Sequence, residues 1–133
     1  MASLHCIVVT PEETALELPT DFVVLPLYDG EIGIAVDHSP LIGRLGYGEM
    51  RLQVANETKR YYVDGGFVQV ADNVVSVLTN RVTPAEELDE DAAMEQLTLA
   101  QTKPANSPEL MEIRDRAVEQ SRAQQRVAQR NKS

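Results

Sequence analysis

The sequence predicts a β domain of short strands followed by a pair of C-terminal helices, and three observations carry that prediction. Turn residues interrupt residues 1–82 at close, regular spacing. Apolar and polar residues alternate with period two between those interruptions, and beyond Val82 the period becomes helical. The expected division is therefore a β domain over 1–82 and a helical domain over 83–133.

Taken in order, Leu4 to Val9 and Asp21 to Leu27 read as strands, and Pro26, which has no N–H to donate, confines the second to a bulge or an edge. Met50 to Val54 alternates as a half-buried strand does, and Asn56-Glu57-Thr58 follows as a turn. Lys59 to Val63, a turn at Asp64-Gly65-Gly66, Phe67 to Val70, a turn at Ala71-Asp72-Asn73 and Val74 to Thr79 complete a run of hairpins. Such spacing predicts a sandwich or a barrel. Farther on, Thr83-Pro84-Ala85-Glu86 fits a capping box with Thr83 as N-cap. Leu88, Ala92, Glu95 and Leu99 continue at helical spacing to about Gln101. Ser107-Pro108-Glu109 starts a second helix that runs to about Arg130, with Leu110, Ile113, Ala117 and Val127 as a thin apolar stripe.

Composition narrows the function classes. Among 133 residues, 12 basic against 21 acidic side chains leave a net charge of −9, which repels a phosphate backbone and predicts no nucleic-acid partner. The sign is uneven. From Ser107 onward Arg114, Arg116, Arg122, Arg126, Arg130 and Lys132 outnumber Glu109, Glu112, Asp115 and Glu119. A lone cysteine, Cys6, rules out an internal disulfide, and no signal-like segment opens the chain, so a reducing, cytosolic setting is expected. No run approaches the ~20 apolar residues a membrane-spanning helix needs, so direct membrane insertion is not expected.

Few residues offer chemistry. His5 and Cys6 are neighbours on a strand and point to opposite faces, so they cannot share a metal ion. Asp37-His38-Ser39 has the residue types of a nucleophilic triad, but side chains so close in sequence do not usually reach triad geometry; an interface histidine in a turn is the better reading. Gly43 to Gly48, GRLGYG, lacks the Gly-Lys-Ser/Thr ending of a phosphate loop. The acids from Glu86 to Asp91 lack the spacing of a calcium loop and suit the first turn of a helix. The second helix's arginines suit either solvent or an acidic protein surface. No metal, cofactor or catalytic constellation is expected.

Two motifs add a resemblance. Gly30-Glu31-Ile32-Gly33-Ile34 followed by Asp37-His38-Ser39-Pro40-Leu41 resembles the GE-x-GI…GHAPL signature of the epsilon subunit family of bacterial-type F1Fo ATP synthase, whose mitochondrial counterpart is called delta. Gly65-Gly66-Phe67-Val68-Gln69-Val70 with Asn73 to Leu78 resembles that family's second signature. The resemblance implies a non-catalytic central-stalk subunit with a ten-stranded β-sandwich and an antiparallel αα-hairpin, peripheral on the cytoplasmic face of the bacterial inner membrane. It implies the γ subunit and the c-subunit ring as partners, and α and β transiently. Glu31 with Gly30 and Gly33 would face the c ring, and His38 with Ser39 and Pro40 would face γ. Arg114, Arg116, Arg122 and Arg126 would meet β when the extended hairpin blocks ATP hydrolysis. Some members bind ATP through Ile/Leu-Asp-x-x-Arg-Ala; Leu88-Asp89-Glu90-Asp91-Ala92-Ala93 puts Ala92 where the arginine belongs, so weak or absent ATP binding is expected. The alternatives are a β-sandwich enzyme or binding module using Asp37 and His38, and a helical adaptor, which leaves both β motifs unexplained.

Overall fold

The structure, a computed structural model, describes residues 3–132, with side chains through Arg130, so residues 1, 2 and 133 of the expected domains lie outside it. The chain forms two compact units, Met1–Pro84 and Ala85–Ser133.

The first unit is a single hydrogen-bonded sheet of eight strands. They are β1 (Leu4–Val9), β2 (Thr14–Thr20), β3 (Phe22–Leu27), β4 (Gly30–Ile34), β5 (Leu41–Val54), β6 (Glu57–Ala71), β7 (Val74–Leu78) and β8 (Val82–Pro84). Their order is β2-β1-β7-β6-β5-β3-β4, with β8 beside β6, and only β1 and β7 run parallel. Although β1, β7 and β6 separate them in the sheet, β2 packs against β5, so the sheet curls over its own inner face. That face is aliphatic. Leu4, Cys6 and Val8 of β1, Val23 and Leu25 of β3, Met50 and Leu52 of β5, Val68 and Val70 of β6, and Val75 and Val77 of β7 alternate into one buried core. Each such side chain contributes roughly 1.5–3 kcal/mol of hydrophobic stabilisation.

Eight strands stand where ten were expected. The reason lies in β5 and β6, which are 14 and 15 residues long and cross both halves of the fold without a break. The later part of β6 pairs with β7 at Phe67–Ala71, while its earlier part pairs with β8 at Tyr61–Val63. Asp64-Gly65-Gly66 is accordingly no turn. It lies inside β6, where Gly65 and Gly66 have φ of 73° and 113° and bend the strand between the two halves. A Cβ on Gly66 would stand 1.8 Å from the Leu78 carbonyl oxygen, so no other residue fits.

The β5–β6 turn falls at Ala55-Asn56, one residue before the expected place, with Ala55 at φ 55°. The β6–β7 turn falls on Asp72 and Asn73, whose φ values of 52° and 63° are those of a tight hairpin turn. Pro26 occupies the expected irregularity: the β3–β5 register shifts between Val24 and Leu27. GRLGYG lies wholly within β5.

The second unit opens with a 3₁₀ turn at Ala85–Glu87, followed by α1 (Glu90–Gln101) and α2 (Pro108–Lys132). Thr83 is not the cap of α1. It pairs with Tyr62 in β8, because Tyr61–Val63 offers Val82–Pro84 an open strand edge. The cap is Asp89, whose carboxylate accepts from Asp91 N at 2.9 Å and Ala92 N at 3.4 Å. Ser107 caps α2 as expected, accepting from Leu110 N at 3.2 Å. Gln129 Nε2 donates to Glu90 Oε1 at 2.9 Å and Gln125 Nε2 lies 3.9 Å from Met94 Sδ, so the end of α2 meets the start of α1. The two helices therefore run in opposite directions. The buried positions are Ala93 and Ala100 of α1 and Ser121, Ala123, Gln124, Val127 and Ala128 of α2. Leu99 and Ile113, expected on the apolar stripes, are more than half exposed. Small side chains at the buried positions let helices approach closely and leave the larger aliphatics outside.

Candidate functional site

The two strands β3 and β4 form a hairpin turned at Tyr28-Asp29, which places Glu31 opposite Pro26 and Gly33 opposite Val24. Gly33 lies against a neighbour: a Cβ there would come within 2.6 Å of Phe22 Cζ, so a larger residue needs the Phe22 ring to shift. Glu31 is half exposed and accepts from Arg51 at 3.1 Å. Arg51 also donates to Glu49 at 3.0 Å, and Arg60 donates to the same Glu49 oxygen at 2.9 Å. Arg51 and Arg60 are directly opposed across β5 and β6, a repulsive placement that the buried Glu49 carboxylate offsets. Burial works to lower the Arg51 pKa, but the hydrogen bonds it donates to Glu49 and Glu31 and the charges of both outweigh it and hold the guanidinium above its ordinary value. Glu31 is thus presented from a rigid, charged network.

His38, Ser39 and Pro40 occupy the connection between β4 and β5. The His38 backbone N–H donates to Ala35 O at 3.2 Å, and its ring Nδ1 lies 2.7 Å from Ser39 O. A carbonyl only accepts, so Nδ1 carries the proton and Nε2 is the acceptor of the neutral ring. The Asp37 side chain accepts from Asn73 Nδ2 at 3.1 Å. A triad relay needs Asp37 on the imidazole and the Ser39 hydroxyl opposite; the ring instead engages the Ser39 backbone.

Beside this loop lies a surface that the sequence reading did not single out. Arg44, Phe67 and Leu78 are directly paired across β5, β6 and β7, and Ile42, Gln69 and Ser76 form the next row on the same face. Ile42 is 77% exposed and Phe67 59%, while Tyr28 carries the Arg44 guanidinium 4.8 Å above its ring. Adjacent, exposed, large apolar side chains mark interaction sites. The signal was available in Ile42 and Phe67, apolar at outward positions of strands whose inward positions are also apolar. Strand registers far apart in sequence had to be known before they joined into one patch.

On α2, Arg122, Arg126 and Arg130 follow one another at four-residue spacing and are exposed. Arg116 lies off that row and pairs with Glu112 at 3.4 Å; Arg114 donates to Asp115 at 3.2 Å. The fold therefore brings two of the four predicted arginines, Arg122 and Arg126, to one face, with Arg114 and Arg116 turned away to either side of it. On α1 the Asp89 carboxylate serves the cap, Ala92 is exposed, and Glu90 and Asp91 stand beside it in the first turn. His5 pairs with Glu17 at 2.9 Å, and Cys6 is buried with its thiol pushed up to about 12 by desolvation. Among the described residues no three His, Cys, Asp or Glu side chains gather as metal ligands, and no helix is long and apolar enough to cross a membrane.

Residues 3–85 match the family model described as ATP synthase, delta/epsilon chain, beta-sandwich domain. The chain belongs to this family. The chain is 49% identical over 126 residues to the ATP synthase epsilon chain of Rhodopirellula baltica, a match covering 95% of this chain and 98% of that one. It is 34% identical over 106 residues to the epsilon chain of Rubrobacter xylanophilus, covering 80% and 73%. Among solved structures, a chain of the Euglena gracilis mitochondrial ATP synthase superposes with a TM-score of 0.83 at 22% identity, covering 92% of this chain and 79% of that one. A chain of the Tetrahymena thermophila mitochondrial ATP synthase central stalk and c ring gives 0.75 at 13%, covering 96% and 97%. At such identities the likeness is one of fold. Epsilon chains are non-catalytic subunits of ATP synthase, in keeping with a surface built for contact.

Proposed function

We propose that this chain is a rotor subunit of an F1Fo ATP synthase, standing at the foot of the central stalk and coupling ion movement through the c ring to ATP synthesis. The observation that carries the reading is the match to the Rhodopirellula baltica epsilon chain over nearly the full length of both proteins. Similar folds occur in the Euglena gracilis OSCP/F1/c-ring structure and in the Tetrahymena thermophila central stalk and c ring. On this reading the complex sits at the cytoplasmic face of a bacterial inner membrane.

The γ subunit takes the face made by His38, Ser39, Pro40, Ile42, Arg44 and Phe67. An apolar patch edged by an aromatic–arginine stack has the composition of an interface centre. The c ring takes Glu31 with Gly30 and Gly33, a half-exposed carboxylate whose geometry Arg51 holds. Arg114, Arg116, Arg122 and Arg126 contact β when the helices extend and inhibit ATP hydrolysis, with Arg122 and Arg126 making the main contribution because Arg114 and Arg116 have carboxylate partners on their own helix. ATP binds weakly or not at all to the folded helices, since Ala92 offers no charge and Glu90 and Asp91 repel a polyphosphate.

The test of the γ face is co-elution of the full chain with its cognate α3β3γ core. The wild type is expected to co-elute stably. Phe67→Asp, a change on an exposed side chain, is expected to weaken binding at least about tenfold without altering the fold; equal binding by the variant would remove γ from this face.

A further inference from the structure

The loop that presents His38 packs Val36 against the core and is hydrogen-bonded to the β6–β7 turn through Asp37. Asp37 sits at φ 66°, in the left-handed region, and its backbone N–H donates to Asn73 Oδ1 at 2.6 Å. Asn73 Nδ2 donates back to Asp37 Oδ1 at 3.1 Å, so the two residues, 36 positions apart, close a reciprocal pair. Among the described residues, the other hydrogen bonds made by His38 are local ones, to Ala35 and Ser39. Asn73 is itself held. Its carbonyl accepts from His5 N at 2.8 Å, and it closes the tight turn between β6 and β7 at φ 63°.

Position 73 makes two demands at once. It must take a left-handed backbone at small cost, which favours Gly, Asn and Asp. It must also supply a donor and an acceptor on a short side chain. Glycine has no side chain and Asp has no donor, so Asn alone meets both demands. We propose that Asn73 is a positioning residue for the partner-binding loop, fixing Asp37 so that His38, Ser39 and Pro40 are held in their binding conformation. The inference rests on the reading of His38 as a γ contact. It also gives a physical reason for the two sequence motifs to occur together, since the turn at the start of β7 sets the shape of the loop before β5.

The experiment uses the full chain and two readouts. The first is amide hydrogen exchange of Asp37 in the free protein, which reports the clamp without any partner. Asn73→Gly keeps the backbone conformation and removes both bonds; it is expected to speed Asp37 exchange about tenfold while leaving the Val75 and Val77 amides unchanged. The second is affinity for the cognate α3β3γ core. Asn73→Gly and Asn73→Asp are each expected to weaken it about tenfold, the latter by setting two carboxylates face to face. The exchanged pair Asp37→Asn with Asn73→Asp restores a donor and an acceptor and is expected to return affinity to within about twofold of wild type. A role in folding alone gives no such rescue at unchanged thermal stability. Unchanged Asp37 exchange in Asn73→Gly overturns the proposal, as does unchanged core affinity in that variant when His38→Ala weakens binding. If His38→Ala leaves affinity intact, the γ assignment of this loop fails by itself, and Asp37 exchange decides whether Asn73 positions it.

Discussion

Glu49 shows what single residues contribute here. Its side chain is 1% exposed and stands between Arg51 and Arg60, which face each other across β5 and β6. Removing one member of a buried ion network leaves its partners uncompensated, at roughly 3–5 kcal/mol for a buried pair. Because Arg60 is more than a third exposed and partly solvated, Glu49→Ala is expected to lower stability by about 2–4 kcal/mol, checked by urea unfolding. A loss below about 0.5 kcal/mol, as at an ordinary surface site, would show that the network contributes little. Cys6 gives a pH test. A solvated thiol titrates near 9.0 and this one is pushed up to about 12, so between those values the unfolded chain ionises while the folded chain does not. The sign follows: stability declines as pH rises from about 9 to 12, at up to about 1.4 kcal/mol per pH unit, and levels off above. Cys6→Ala is expected to lack that component, as measured by denaturant melts across the range. At this scale the sequence was legible where a motif named the residue, as with Glu31 and His38. Glu49 was not, since its partners Arg51 and Arg60 become neighbours only through pairing, and its burial next to buried Met50 breaks the alternation that strand reading depends on.

Among the elements, those with internal punctuation were read well. β1 and β7 have clean alternation, and the turn at Asp72-Asn73 and the cap at Ser107 rest on residue types with a local mechanism. β6 was misread because Gly65-Gly66 signals a turn and a bend alike, and only the approach of the Leu78 carbonyl distinguishes them. Gly66→Ala is expected to destabilise the β unit by at least about 3 kcal/mol, checked by thermal unfolding, because both the φ of 113° and the 1.8 Å contact must be relieved. Thr83 was misread because capping is local whereas the pairing of β8 with β6 is not. A chain ending at Pro84 is therefore expected to unfold cooperatively near the full-length midpoint, and one ending at Arg81, which leaves Tyr61–Val63 as an open edge, to melt several degrees lower. For the helices, Arg122→Ala with Arg126→Ala is expected to relieve inhibition of ATP hydrolysis in the reconstituted core, and Arg116→Ala, which first loses its bond to Glu112, to change the rate little. Equal rates with wild type and the double variant would remove these arginines from any braking role.

The molecule as a whole is a curled eight-stranded sheet with a complete aliphatic core and a second, helical unit whose buried positions are mostly alanine. The first unit has what a fixed docking body needs: a rigid sheet, an exposed apolar row and a held carboxylate. The second has small buried residues, exposed large ones and an arginine row. The passage from strands to helices past Val82 was legible from periodicity, because a change from period two to period 3.6 survives any error in register, whereas β2, β4 and β8 were not read as strands. How the outer face assembles was not, because it depends on which strands lie side by side. Coupling of rotation to ion flow by this chain is tested by ATP-driven proton or sodium pumping in membranes carrying the cognate ATP synthase depleted of this chain. Pumping is expected to be lost or uncoupled from hydrolysis on depletion and restored by adding back the full chain, but not Phe67→Asp. Membranes that pump equally well with and without the chain would show that it has no coupling role.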